Sequence, residues 1–268
     1  SFELSGAKKA LEPLLQPYTT ISYSDFETNV KLNDLKQGVK LYQQENPDLI
    51  IGIGGGSVMD MAKAIALLAN EQNPDLIVKG EQEPKPRTIK TIMIPTTAGT
   101  GSESNRFCVI YIGKTKNSLR HPSSLPDYTI LDPTFTESLP PEITAHTGLD
   151  ALAQALESYW AVSSTEESRT LSKKAIEIIL PNLEKTVNNP DKPSRENMLR
   201  GANIAGQAIH IASTTASHAF SYPMTAHFNV PHGHAVGLTL SYVFEFNANV
   251  TEETCQDPRG QAFVRERM

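Results

Sequence analysis

Short apolar runs alternate with longer amphipathic stretches through the first half of the chain, which predicts strands and helices in turn. Thr19 to Tyr23 reads as a strand and Lys31 to Glu45 as a helix. Leu49 to Ile53 is a second apolar run, followed by a helical pattern over Val58–Asn70 with Met61, Ala64, Ile65 and Leu68 on one face. Thr91 to Ile94, Phe107 to Ile112 and Tyr128 to Leu131 read as further strands, and the proline-bearing stretch Glu81–Arg87 as a loop. Such alternation predicts a parallel sheet with helices on its faces. After Asp132-Pro133 the period changes. From Glu142 to about Asn247 only helical periodicity remains, over Ala145–Tyr159, Glu166–Val187, Arg195–Ala212, Ala216–Phe228 and His234–Asn247. The expected fold class is α/β followed by all-α. Residues 1–138 form a Rossmann-like domain and 139–268 a helical one.

Composition narrows the class further. The chain has 268 residues, of which 39% are hydrophobic and 20% charged, and this suits two ordinary globular cores. A net charge of −6 argues against a general nucleic-acid or anionic-membrane surface. The two cysteines, Cys108 and Cys255, form no CxxC, which excludes a cysteine zinc site and suits a reducing compartment. No apolar run reaches the roughly 18 residues of a membrane span and no signal peptide is visible, so a cytoplasmic location is expected. A homo-oligomer, most simply a dimer, is the default for a soluble enzyme. The chain opens at Ser1-Phe2-Glu3 and stops in the charged segment Val264–Met268, so both domains read as incomplete at their outer ends.

The chemistry concentrates in two loops and one set of scattered side chains. Strand-like Leu49–Ile53 runs into Gly54-Gly55-Gly56-Ser57, and a helical pattern starts at once. Glycines let backbone approach a ligand closely, and a helix N-terminus offers unpaired N–H groups and a positive dipole end. That arrangement predicts a phosphate site, although Ser57 stands where a GxGxxG fingerprint has its last glycine. A second loop, Pro95-Thr-Thr-Ala-Gly-Thr-Gly-Ser-Glu103, also follows a strand, which places both at the carboxyl end of the expected sheet. In the helical half, Asp150 and Gln154 stand at i and i+4 and face the same way. Asp150 lies among Leu149, Leu152 and Leu156, where an unpaired carboxylate is costly. With His218 and His232 it makes a candidate three-ligand divalent metal site. His121, His146, His210 and His227 read as packing or capping residues.

These motifs stand in the same order as in the iron-containing (group III) alcohol dehydrogenases, which this chain resembles along nearly its whole length. The resemblance implies a dehydroquinate synthase-like architecture, a nicotinamide cofactor (NAD or NADP) and a divalent metal, Fe2+ or Zn2+. It assigns Gly54, Gly55, Gly56, Ser57 and Asp60 to the pyrophosphate and nicotinamide, and Thr96, Thr97, Thr100 and Ser102 to the rest of the cofactor. Lys116 is a further cofactor candidate. Asp150, His218 and His232 are implied as metal ligands. Gln154 takes a position where the family usually has a histidine, which makes it a weaker fourth ligand. Tyr222 and His234 are candidate proton relays, and Tyr222 replaces another usual histidine. The stretches Asp150–Thr165, Ser217–Pro223 and Asn229–Gly237 are most similar to the phosphonoacetaldehyde reductase branch. That branch implies an aldehyde substrate carrying a phosphonate, with Arg106, Lys116, Arg120 and His121 as candidate cationic partners. Three alternatives stay open: a general alcohol dehydrogenase for small aliphatic alcohols and aldehydes, a lyase like 3-dehydroquinate synthase, or a nucleotide-binding protein whose metal site has decayed at Gln154.

Overall fold

A computed structural model describes residues 2–268, which divide into two compact units. One holds the chain through Thr97 together with Ser102–Leu139. The other holds Ala98–Gly101 and Pro140–Met268.

The first unit contains helices α1 (Ala7–Leu15), α2 (Leu32–Glu45), α3 (Gly56–Leu68) and α4 (Pro74–Val78). Its strands are β1 (Leu49–Gly54), β2 (Lys90–Pro95), β3 (Phe107–Ile112), β4 (Thr115–Arg120) and β5 (Tyr128–Thr129). Strands β1, β2 and β5 form a parallel sheet in the order β1-β2-β5, with Leu49 opposite Lys90 and Gly54 opposite Pro95. Leu35, Val39, Ala64, Leu68 and Ile110 build the main core, while Met59, Ala62 and Met93 pack a smaller cluster. Asp127 ties β2 to the start of β5. It pairs with Arg87 at 2.6 Å and Lys90 at 2.8 Å, and accepts from the Thr91 N–H at 2.9 Å.

Two expectations need correction, and one strand was not read from sequence. The predicted strand at Thr19–Tyr23 is irregular chain. Tyr23 instead donates its hydroxyl to the Asp34 carbonyl and packs on the core below α2, so its apolar character serves a side-chain contact rather than a ladder. Phe107–Ile112 is a strand with the bounds read from sequence, and it pairs antiparallel with β4, a strand the periodicity did not reveal. Gly113, with φ of 59°, makes the tight turn that folds β4 back on β3. The last strand is shorter than Tyr128–Leu131, ending at Thr129.

The second unit is helical: α5 (Pro141–Trp160), α6 (Glu166–Asn188), α7 (Lys192–Ala212), α8 (Ala216–Phe228), α9 (His232–Ala248) and α10 (Gln261–Arg265). Capping boxes open two of them, Thr165 with Ser168 at α6 and Asp191 with Ser194 at α7. Ala151, Ala155, Ala175, Ile179, Met198, Leu199 and Ala205 fill the space among α5, α6 and α7. Among the described residues no helix is long and apolar enough to cross a membrane.

Candidate metal centre and nucleotide loops

In the first unit the two loops leave neighbouring strands. The Thr96 N–H donates to the Gly54 carbonyl at 2.8 Å, so the ladder of β1 and β2 runs on into the loops. A Cβ at Gly55 would stand 3.3 Å from Thr97 Cγ2, a contact so tight that the glycine keeps the loops in register. Helix α3 then begins at Gly56 with no side-chain cap, leaving first-turn N–H groups beside Ser57. Ser57 accepts from the Asn29 N–H at 3.0 Å. The Thr96 hydroxyl is buried without a hydrogen-bond partner.

Asp60 and Ser102 sit behind this surface and bind each other. Asp60 accepts from the Ser102 hydroxyl and, at 2.9 Å, from the Val109 N–H. Lys63, on the same helix, is fully buried, and its ammonium donates to the carbonyls of Ser102, Asn105 and Phe107. A buried ammonium is tolerated only when so well partnered, and here it clamps the threonine loop to α3. Sequence reasoning passed over Lys63, although its place between Met59 and Leu67 on one helical stripe was the available signal.

Of the four candidate phosphonate partners, Arg106, Arg120 and His121 stand at one end of the β3–β4 hairpin, where Phe107 pairs with Arg120. Lys116 and Arg120 lie four residues apart on β4, a span of about 13 Å at strand rise. Arg120 stacks over the Phe107 ring, and His121 Nδ1 accepts from the Ser123 N–H.

The middle of the threonine loop belongs to the second unit. Gly101 has φ of 56°, and a Cβ there would meet the Gly206 backbone of α7 at 2.5 Å. Gly99 is pressed equally close to Thr147 of α5. This packing brings the Thr100 carbonyl to Gln154, whose amide N–H donates to it at 3.2 Å.

Asp150, His218 and His232 converge in the same unit. One ligand atom from each lies within 4.8 Å of the others. Asp150 Oδ1 is 3.2 Å from His218 Nε2 and 3.7 Å from His232 Nε2. The three come from different helices, and glycine makes the approach possible. A Cβ at Gly233 would sit 1.8 Å from the His146 carbonyl oxygen, so α9 can lean on α5 only with glycine after His232. That explains why Pro-His-Gly opens α9.

The site is strongly ionic for its burial. Asp150 and His218 are buried, while the His232 side chain is 34% exposed. Burial alone would push His218 toward the neutral form, but hydrogen bonds and charge from Asp150 and Glu157 outweigh it and raise its pKa to about 9. Glu157 is also buried, which by itself would raise its carboxyl. Its bonds to His218, Thr215 and the Ser217 N–H prevail and hold it below the usual range. Gln154 donates to Asp150 Oδ2 at 3.2 Å as well as to Thr100, and its Oε1 is buried with no partner. Flipping the amide would set its oxygen against two acceptors, so the N–H end is fixed toward Asp150.

Tyr222 stacks on His232 at 6.4 Å between centroids, and exposed His234 stacks on His146 at 5.3 Å. Tyr222 therefore flanks the candidate centre, while His234 is placed by its contact with His146 of α5. Glu157, Ser221 and Thr215 were missed from sequence. Glu157 stands seven residues after Asp150, on the same helical stripe, and that spacing was the available signal.

Comparison with known proteins agrees with this geometry. Residues 3–133 match the family described as iron-containing alcohol dehydrogenase, and residues 144–264 match its C-terminal domain family. The chain is 36% identical over 239 residues to long-chain-alcohol dehydrogenase 1 of Geobacillus thermodenitrificans, covering 87% of this chain and 60% of that one. It is also 36% identical over 228 residues to the phosphonoacetaldehyde reductase of Streptomyces viridochromogenes, covering 81% and 58%. The chain thus spans under two thirds of the length of these curated relatives. Among solved structures, sulfoacetaldehyde reductase from Bifidobacterium kashiwanohense in complex with NAD+ superposes with a TM-score of 0.87 at 29% identity, over 99% of this chain and 74% of that one. With both halves matched in order and the fold shared almost end to end, the chain belongs to the iron-containing alcohol dehydrogenase family.

Proposed function

We propose that this protein catalyses the NAD(P)H-dependent, divalent-metal-assisted reduction of an aldehyde to an alcohol. The carrying observation is the convergence of Asp150, His218 and His232 on one point. One carboxylate and two imidazoles suit Fe2+ or Zn2+ and leave positions open for a substrate oxygen. The orphaned Gln154 Oε1 fits this reading. A buried acceptor without a partner costs roughly 1–3 kcal/mol, and a cation beside it would remove that cost. Gln154 then acts as the fourth, weaker donor. When bound, the ion supplies Lewis acidity toward a carbonyl oxygen and the nicotinamide supplies hydride.

The chain's own residues do the rest. Asp150, Gln154, His218 and His232 hold the ion. Gly54, Gly55, Gly56 and Ser57 cradle the pyrophosphate on the N–H groups of α3, with Thr96, Thr97 and Thr100 along the cofactor. Asp60, Ser102 and Lys63 act from behind by fixing the loop. Lys116 remains a candidate for a cofactor contact. Tyr222 flanks the centre, where a proton must reach the product oxygen, and exposed His234 is the second candidate relay.

For substrate we favour an aldehyde bearing a small acid group, with phosphonoacetaldehyde first. A phosphonoacetaldehyde reductase and a sulfoacetaldehyde reductase are both among the relatives, and their names share a two-carbon aldehyde with an anionic end. The long-chain-alcohol relative supports the broader reading of a general alcohol dehydrogenase. The test is loss of NADH or NADPH absorbance with Fe2+- or Zn2+-loaded protein. Phosphonoacetaldehyde, sulfoacetaldehyde and butanal are compared. Preference for the anionic aldehydes is expected, preference for butanal would overturn the substrate assignment, and no turnover with any would overturn the reductase reading.

A further inference from the structure

Four residues of α5 form one stripe: Asp150, Gln154, Glu157 and Trp160, at i, i+4, i+7 and i+10. A hydrogen-bond chain runs from its far end toward the candidate centre. The Trp160 indole N–H donates to Thr215 Oγ1 at 3.0 Å, and the Thr215 hydroxyl donates to Glu157 Oε1 at 2.6 Å. The Ser217 N–H donates to the same oxygen at 2.8 Å. The other oxygen, Oε2, contacts His218 Nδ1. Every polarity is determined, since an indole only donates and a carboxylate only accepts. His218 therefore carries a proton on Nδ1 toward Glu157 and, by the same rule, donates from Nε2 to Asp150 Oδ1 at 3.2 Å, a proton that an incoming cation would replace.

His232 is held differently. The Ser221 hydroxyl spends its only proton on the His218 carbonyl at 2.6 Å, so at 3.1 Å it must accept from His232 Nδ1. Both imidazoles thus offer Nε2 to the same point. Behind His218 stands the buried carboxylate of Glu157, and behind His232 the Ser221 hydroxyl.

We propose that Glu157, supported by Thr215 and Trp160, is a positioning residue that presets His218 as the anchoring ligand. The inference rests on the metal reading given above. Glu157 must serve three donors with two oxygens, which glutamine cannot do. An amide at this position either leaves the Thr215 or Ser217 donor unmatched or turns an N–H toward His218. The second choice forces the proton onto Nε2 and removes the ligand.

The test uses Zn2+ alone as the probe, with calorimetric titration and the emission of Trp160, the single tryptophan of the chain. Glu157→Gln is expected to weaken Zn2+ binding by about 10- to 100-fold, the usual effect of losing a carboxylate behind a ligating histidine. Thr215→Val should weaken it less and abolish the Zn2+-dependent change in emission, while Thr215→Ser restores both. A folded Glu157→Gln variant with parental Zn2+ affinity would overturn the inference. Should that variant not fold, parental affinity and emission response in Thr215→Val would overturn it instead. If His218→Ala abolishes Zn2+ binding while Glu157→Gln leaves it intact, the metal reading stands and the positioning role fails. If the parent protein takes up no Zn2+, the metal reading itself falls.

Discussion

The two units use buried charge in opposite ways. In the first, Lys63 and Asp60 are spent inward. The ammonium is satisfied by backbone carbonyls and the carboxylate by Ser102 and a β3 N–H, so the first glycine loop is left with small residues and a bare helix start. In the second, Asp150 and Glu157 both turn toward His218, and charge is concentrated at one point. A backbone-built site needs small residues and a rigid frame. A side-chain-built site needs buried carboxylates whose partners leave a gap that a cation can fill.

The largest expected effect tests the frame. Lys63→Met removes the clamp and strands three carbonyls, and should destabilise the protein by about 3–5 kcal/mol in urea unfolding. A loss under about 1 kcal/mol would show that Lys63 does not organise the loop. Asp150→Asn tests the other side. The near-isosteric change keeps the shape but takes away the ligand charge, and Zn2+ affinity should fall about 100-fold, roughly 2.8 kcal/mol, with little change in unfolding. Should the variant unfold readily yet keep its Zn2+, the contrast between frame and ligand would be reversed.

A smaller effect is expected at Gly55. Gly55→Ala places a methyl 3.3 Å from Thr97 and crowds the loop surface, so NADH affinity should drop about tenfold by fluorescence titration. Unchanged affinity would move the nucleotide away from this loop. The smallest effect is a pH dependence of the frame. Burial works against the Asp127 carboxylate, but bonds from Lys90, Arg87 and the Thr91 N–H hold its pKa well below the usual range. A depressed group contributes stability above its unfolded value of about 3.9, and that stability is lost as pH falls further. Asp127→Asn should therefore lose less stability than the parent between pH 5 and pH 3. Parallel acid profiles would remove Asp127 from the account.

Much of this was legible before folding. The change of period told an α/β half from a helical one, and both loops were readable because glycine, threonine and helix-start patterns are local. The hairpin β3–β4 was not, because Thr115–Arg120 carries too little apolar alternation to reveal a strand whose partner is β3. Nor was the fate of Thr19–Tyr23, where alternation served a core contact through Tyr23.

Local sequence determined what each segment is: its period, its caps and the glycines that permit close approach. The tertiary structure decided where charge goes. Glu157 reads as one more helical acid until α8 brings His218, Thr215 and Ser217 against it, and Lys63 reads as a surface cation until the loop closes over it. Burial and hydrogen-bond partnership depend on residues 40 to 70 positions away, and no periodicity carries that information.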